Sequence, residues 1–240
     1  MVEFLSVKLS IIIPAYNEEK TIGIMVKRVL ETKVGNLKKE IIVVNDGSTD
    51  HTKTQISKVK GQNKNLKVIN KNKNEGKGSA IRDALRIARG DVFIIQDADL
   101  EYDPTEYKLL LSPITQKKAD VVFGSRFVGN QPHRVLYFWH YVGNKIITLL
   151  ADCLTNLNLT DIETCYKVFT RQVARKLDIQ ESRFGFEPEF TIKVAQMGYR
   201  IYEVGISYSG RSYSEGKKIG WKDGLVTLWC LIKYSSFLKG

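Results

Sequence analysis

Short aliphatic runs bounded by turn residues recur along the chain: LSIIIP (9–14), EIIVVND (40–46), LKVIN (66–70), DVFIIQD (91–97) and DVVFGS (120–125). Each is of strand length, and the hydrophobicity inside each is continuous rather than alternating, which indicates burial on both faces, as in a parallel sheet. Helical patterns lie between them. The clearest sets Ile81, Ala84, Leu85 and Ala88 on one side of a segment that opens after GKGS and closes at Gly90. Strand and helix in alternation predict right-handed βαβ units, an α/β sandwich with a mostly parallel central sheet, and ligands bound beyond the carboxyl ends of the strands. After Arg126 the pattern changes to a long helical candidate over 135–154, a short strand near 166–169, a helix over 187–197 and a strand near 200–208, read as an elaboration of the same sheet.

The strand ends carry the chemistry. The first run ends in PAYNEE (14–19), the second in VNDGSTD (44–50), the fourth in QDADLE (96–101). Asp97 and Asp99 flank one small residue, so in an extended conformation both carboxylates point the same way and can face one hard divalent cation, Mg²⁺ or Mn²⁺, with phosphate oxygens as its remaining ligands. Two such carboxylates at a mostly buried strand end repel each other unless a cation or donors compensate. Asp103, which precedes Pro104, reads instead as a helix N-cap. NEGKGSAIRDAL (74–85) puts Gly76, Lys77 and Gly78 at a helix start, where free N–H groups suit a phosphate; the same residues also suit an ordinary loop. The GxxxxGK[ST] spacing of a P-loop is absent.

Composition narrows the partners. The 240 residues are 43% apolar, enough for one domain with a sizeable core. Lys plus Arg number 37 against 26 Asp plus Glu, and the net charge of +11 predicts an anionic partner: nucleic acid, a lipid headgroup surface or a phosphorylated small molecule. The basic residues are dispersed and form no nucleic-acid motif, so no nucleic-acid partner is expected. Cys153, Cys165 and Cys230 are too scattered for a disulfide framework or a zinc site and fit a reducing compartment. No run of about 18 uninterrupted apolar residues occurs, and the N-terminus lacks signal-peptide features, so a soluble or peripheral protein of the cytoplasm is expected.

With PAYNEE, VNDGSTD, NEGKGSA and DAD in this order at strand ends, the chain resembles the inverting family 2 glycosyltransferases of GT-A fold. FGSRF (123–127), DIETCYKVF (161–169), RFGFEPE (183–189) and GRSYSEGKKIGWKDG (210–224) are similar to the branch that contains the dolichyl-phosphate mannose synthases and related polyprenyl-phosphate sugar synthases. The resemblance covers about residues 8–225. It implies transfer of a hexose from a UDP- or GDP-linked donor to a polyprenyl or dolichyl monophosphate, with inversion and a divalent metal on the donor diphosphate. It assigns Pro14, Tyr16, Glu18, Asp46, Gly76, Lys77, Asp97 and Ala98 to the nucleotide-sugar site, and Asp97 and Asp99 to the metal, with Glu101 where related synthases often place a glutamine that also reaches it. Arg126, Arg211 and Lys217 match cationic positions that grip the acceptor phosphate, with Arg134 a fourth candidate for it; Asp99, Arg126, Arg211 and Lys217 are the catalytic set. Residues 1–209 are read as the catalytic domain, and 210–240 as a basic flexible loop and C-terminal amphipathic helix of the same domain.

A phosphate acceptor is already an anionic nucleophile, so electrostatic guidance matters more than a base. A sugar or protein hydroxyl would need one, with Asp161, Glu163 and Glu187 as candidates. Lipid use without a membrane span requires surface binding. Two segments suit it: 135–154, with aromatics at one end, and 221–240, which combines Trp221, Trp229 and Phe237 with Lys222, Lys233 and Lys239. For 135–154, packing on the sheet or against a second copy is an equal reading; the C-terminal helix leans to the membrane.

Overall fold

The first aliphatic run, β1 (Lys8–Ala15), lies inside a seven-stranded sheet whose other strands are β2 (Lys38–Asn45), β3 (Leu66–Asn70), β4 (Val92–Ile95), β5 (Val121–Ser125), β6 (Lys167–Thr170) and β7 (Ile201–Gly205). The order is β3-β2-β1-β4-β6-β5-β7 in the computed structural model, which describes residues 7–63, 65–129, 131–135, 137–212, 215 and 221–235. All neighbours run parallel except β6, which is antiparallel to both β4 and β5. The continuous hydrophobicity is explained by two-sided burial: Leu9, Ile11, Ile12 and Ile13 are wholly buried along consecutive positions of β1.

Helices α1 (Ile22–Glu31), α2 (Thr52–Gly61), α3 (Lys77–Ile87), α4 (Tyr107–Thr115), α5 (Phe138–Thr155), α6 (Arg171–Lys176), α7 (Phe186–Gln196) and α8 (Trp221–Tyr234) connect and cover the strands. On α3, Ile81 and Ala84 are buried, with Leu85 and Ala88 packed half-buried against the core, as the helical spacing predicts. Asp103 accepts from Thr105 N at 2.9 Å, with Pro104 opening a 3-10 turn (Pro104–Glu106), so it is the cap its sequence context indicates.

Parallel register brings the chemically rich strand ends to one edge. Ala15 pairs with Asn45 and Ile12 with Ile95, so the segments that follow β1, β2 and β4 leave the sheet together. The end of β4 is fixed from below, because Tyr107 and Tyr166 both donate to Gln96 Oε1, at 2.7 and 2.8 Å. The start of α3 is fixed from the side: a Cβ on Gly78 would overlap Glu181 O, one on Gly76 would overlap Ser182 O, and Ser79 N donates to Ser182 O at 3.1 Å. The two glycines are therefore needed for the close approach of the 181–182 backbone, and Gly76 also holds φ +96°.

Helices α5 and α8 pack against each other and against α7. On α8, Thr227, Cys230, Leu231 and Tyr234 form the buried stripe. The opposite side is apolar as well: Leu225, Val226, Trp229 and Ile232 are exposed. Helix α5 fully buries only Thr148 and Ala151, while Trp139 is 78% and Phe138 65% exposed. One side of α5 thus packs on α7 and α8 rather than on the sheet, and the other is bare. The side chains of Trp221 and Lys222, and Phe237 and Lys239, lie outside the described residues.

Candidate active site

The strand ends enclose a cleft of about 350 Å³. Pro14, Tyr16 and Glu18 line it from β1, Asp46 from β2, Gly76 and Lys77 from the start of α3, and Asp97, Ala98, Asp99 and Glu101 from the segment after β4. Arg126 and Arg211 complete it from the second half of the chain, so nearly all the expected site residues converge.

Their pairing differs from the expected one. β4 ends at Ile95, ahead of Asp97 and Asp99, which both line the cleft, and the chain turns just after them: Leu100 has φ +66° and Asp99 Oδ1 accepts from Glu101 N at 3.2 Å. Asp97 faces Lys77, whose Nζ is 2.8 Å from Oδ1. Asp99 faces Arg211, whose Nη2 donates to Oδ2 at 3.0 Å. Burial pushes the Asp99 carboxyl up to about 8, the charges of Asp97 and Glu101 adding to it and Arg211 opposing.

Glu101 is engaged at both oxygens, by Tyr208 Oη at 2.6 Å and by the backbone N and Nε of Arg211 at 3.0 and 3.1 Å. The expected three-carboxylate ligand set is therefore not gathered here. Among the described residues no three Asp, Glu, His or Cys side chains are grouped to hold a metal ion. The cationic arms divide the acids between them: Arg211 also reaches Glu18 at 3.4 Å.

Asp46 is turned to the loop ahead of α3, accepting from Asn74 Nδ2 and from the N–H groups of Glu75 and Gly76, at 2.6 Å for Gly76. It shapes that loop from the floor of the cleft. Arg126 makes a buried bidentate pair with Asp161, Nε to Oδ2 at 2.6 Å and Nη2 to Oδ1 at 2.7 Å. Burial works against the Arg126 charge, but Asp161, together with Tyr102 and Tyr208, outweighs it and holds the guanidinium well above its ordinary range. Arg134 is absent from the cleft lining; it donates to Gly210 O and Glu215 Oε2, at 2.9 and 2.7 Å. Lys217 lies outside the described residues.

Of the three candidate bases, Asp161 is fully buried on Arg126 and does not line the cleft. Glu187 pairs through Oε1 with Lys77 at 2.8 Å. Glu163 is pushed up to about 7, first by burial and then by the charge of Glu187. The cleft also takes in Tyr208 and Arg183, which sequence reasoning did not single out. Arg183 was visible as the cation opening RFGFEPE; Tyr208 closes a strand pattern and had no polar signal of its own.

Residues 10–178 match the model of glycosyl transferase family 2. Among curated relatives, an undecaprenyl-phosphate mannosyltransferase of Micrococcus luteus is 29% identical over 87% of this chain and 86% of its own length. A dolichyl-phosphate beta-glucosyltransferase of Trichomonas vaginalis is 28% identical over 85% of this chain and 66% of its own length. Among solved structures, glucosyl-3-phosphoglycerate synthase from Mycobacterium tuberculosis, in complex with Mn²⁺, UDP and glucosyl-3-phosphoglycerate, superposes with a TM-score of 0.74 at 19% identity, covering 95% of this chain and 80% of that one.

Proposed function

Because the chain belongs to glycosyl transferase family 2 and is a glycosyltransferase of GT-A fold, we propose that it transfers a hexose from a UDP- or GDP-linked donor to the phosphate of a polyprenyl or dolichyl lipid, with inversion and with the help of a divalent cation. The observation that carries this reading is a juxtaposition: an acidic corner, two cleft-lining arginines and a bare apolar helix face adjoin one another. Phe127, next to Arg126, packs edge-on against Tyr141 of α5 at 5.3 Å, which links the cleft wall to that face. The two curated relatives named above act, by name, on polyprenyl phosphates.

Tyr16 and Pro14 offer the nucleotide an apolar wall, and Lys77 stands where the donor's diphosphate meets the acids. The lipid phosphate, anionic at neutral pH, needs no base. Arg126 and Arg211 orient it so that one of its oxygens attacks the anomeric carbon from the face opposite the departing nucleoside diphosphate. The new C–O bond forms as the old one breaks, which inverts the configuration. Asp97 and Asp99 fit an Mg²⁺ or Mn²⁺ by the chemistry of their hard oxygen donors, and the Arg211 guanidinium already stands against Asp99 as a cation does. Such an ion supplies neutralisation of the leaving diphosphate. Glu101 anchors Tyr208 and Arg211 rather than completing the ligand set.

A hydroxyl acceptor is the second reading, and Glu163 favours it: the carboxyl lies at the cleft with a pKa of about 7, suited to a general base. The exposed aromatics of α5 and α8 favour the lipid instead, as a surface for peripheral binding at the cytoplasmic face of a membrane. No described helix is long and apolar enough to cross one.

The test is incubation of the pure protein with UDP- and GDP-linked hexoses, polyprenyl phosphate and Mg²⁺ or Mn²⁺, with the lipid product read by mass. A glycosylated lipid phosphate is expected. Transfer only to saccharide or protein hydroxyls in the same panel overturns the lipid assignment.

A further inference from the structure

Two carboxylate oxygens at the cleft, Glu187 Oε2 and Glu163 Oε1, have no hydrogen-bond partner among the described residues. Glu187 is 4% exposed and sits in the first turn of α7. Its other oxygen is bound by Lys77 Nζ at 2.8 Å, and that same ammonium is 2.8 Å from Asp97. A buried carboxylate oxygen without a donor is costly, and folded proteins keep such groups where a ligand or another function supplies the missing partner.

The position indicates which ligand. One lysine separates Glu187 from the acid corner assigned to the donor's diphosphate, and the hexose is the next group along a nucleoside diphosphate sugar. Resting on the function proposed above, we propose that Glu187, with Glu163 beside it, accepts hydrogen bonds from hydroxyls of the donor hexose and rejects donors whose sugar carries a carboxylate.

The chemistry favours a neutral sugar in two ways. Hydroxyls donating to carboxylates make short, charge-assisted bonds, so a site with two open carboxylate oxygens gains most from a polyhydroxylated ring. A hexuronate would bring another carboxylate against Glu163 and Glu187, which already repel each other. The bridging ammonium there, Lys77, is already shared between Glu187 and Asp97.

The bland role for Glu187 is to hold Lys77 in place, and Glu187→Gln keeps the shape and an oxygen for that contact. Calorimetric titrations of the full chain with Mn²⁺ separate the two roles, using UDP, GDP, UDP-glucose and GDP-mannose, and then UDP-glucuronate or GDP-mannuronate to match whichever nucleotide binds. Glu187→Gln is expected to bind the free nucleoside diphosphate within about threefold of wild type and the hexose donor about tenfold more weakly. The hexuronate donor, at least about tenfold weaker than the hexose donor on wild type, is expected to close most of that gap in the variant. Glu163→Gln should change the same ratio in the same direction, which guards against misfolding of one variant. An unchanged ratio of hexose donor to free nucleotide in both variants overturns the assignment, as does a Glu163→Gln enzyme that loses turnover at wild-type donor affinity, since that is a base. Failure of wild type to bind any of the four nucleotides removes the transferase reading itself, and this proposal with it.

Discussion

Arg211 donates from Nη2 to Oδ2 of Asp99 at 3.0 Å, so the most electrostatically strained carboxylate of the cleft is neutralised by a residue 112 positions away in sequence. The guanidinium also reaches Glu101 and Glu18, which makes it the common counter-ion of the acidic corner. A cation entering that corner competes with it. Arg211→Ala is expected to tighten Mn²⁺ binding about three- to tenfold in titrations of the donor-free enzyme, while transfer to polyprenyl phosphate falls at least about a hundredfold. Asp99→Ala should remove metal-dependent turnover and leave the unfolding transition in place. Full activity of that variant eliminates Asp99 as a metal-holding group.

The bidentate pair of Arg126 with Asp161 has a different consequence. Asp161 is wholly buried, and its backbone N–H and that of Thr160 donate to Glu203, at 3.2 and 2.9 Å. Arg126→Ala leaves that buried carboxylate unpaired and should cost about 3–5 kcal/mol, seen as a fall in Tm of about 10 °C. Arg126→Lys retains the charge without the two-pronged fit. It should stay folded and weaken use of the lipid phosphate much more than donor binding; equal loss of both argues against an acceptor role.

Gly78 is fixed by contact rather than by phosphate chemistry. Gly78→Ala drives a methyl into the Glu181 carbonyl, and the nearest relief is to lift the 181–182 segment off α3. A loss of about 1–3 kcal/mol is expected in urea unfolding. Unchanged stability would mean that this segment docks less tightly than it does here.

At the opposite end of the sheet, Glu40 is buried and held at about 2. Burial alone would raise it; Lys67, Ser10, the Arg89 N–H and Lys8 together outweigh that penalty, with contacts of 2.6, 2.6, 2.8 and 3.1 Å. The folded value is depressed from an ordinary 4.5, so the stabilisation is fully present above about pH 4.5 and is lost as pH falls toward 2. Glu40→Gln should therefore be less stable than wild type by about 2–3 kcal/mol at pH 6. The difference should narrow between pH 4 and 2 in denaturant titrations; a constant difference across that window refutes the linkage.

The bare side of α5 and α8 predicts reversible membrane binding. Replacing Trp139 and Trp229, both largely exposed, with Glu should reduce co-sedimentation with anionic lipid vesicles about tenfold or more and leave Tm within a few degrees. Loss of oligomeric state with unchanged vesicle binding would identify the face as a contact between copies.

Much of the cleft was legible because strand ends in a parallel sheet converge wherever their sequences are, so PAYNEE, VNDGSTD and DAD had to meet once the strands were recognised. Side-chain pairing was not legible. Asp97 and Asp99 were expected to point together, an inference valid only while the backbone stays extended. β4 ends at Ile95, ahead of both residues, and Asp97 meets Lys77 while Asp99 meets Arg211. Arg134 was a fourth candidate for the acceptor phosphate, yet its partners are Gly210 and Glu215 and it does not line the cleft.

By itself the sequence determined the strands, the sheet edge that carries chemistry and the sign of the charges there, because continuous apolar runs and strand-terminal acids are local properties of the chain. Only the tertiary structure decided which cation neutralises which acid, which made Arg126 a partner of Asp161 and Glu101 an anchor for Tyr208 and Arg211. It also left Glu187 with one oxygen unpaired. Ion pairs and unsatisfied oxygens depend on distances of about 3 Å between segments far apart in the chain, and those are set by how the layers pack rather than by any local pattern.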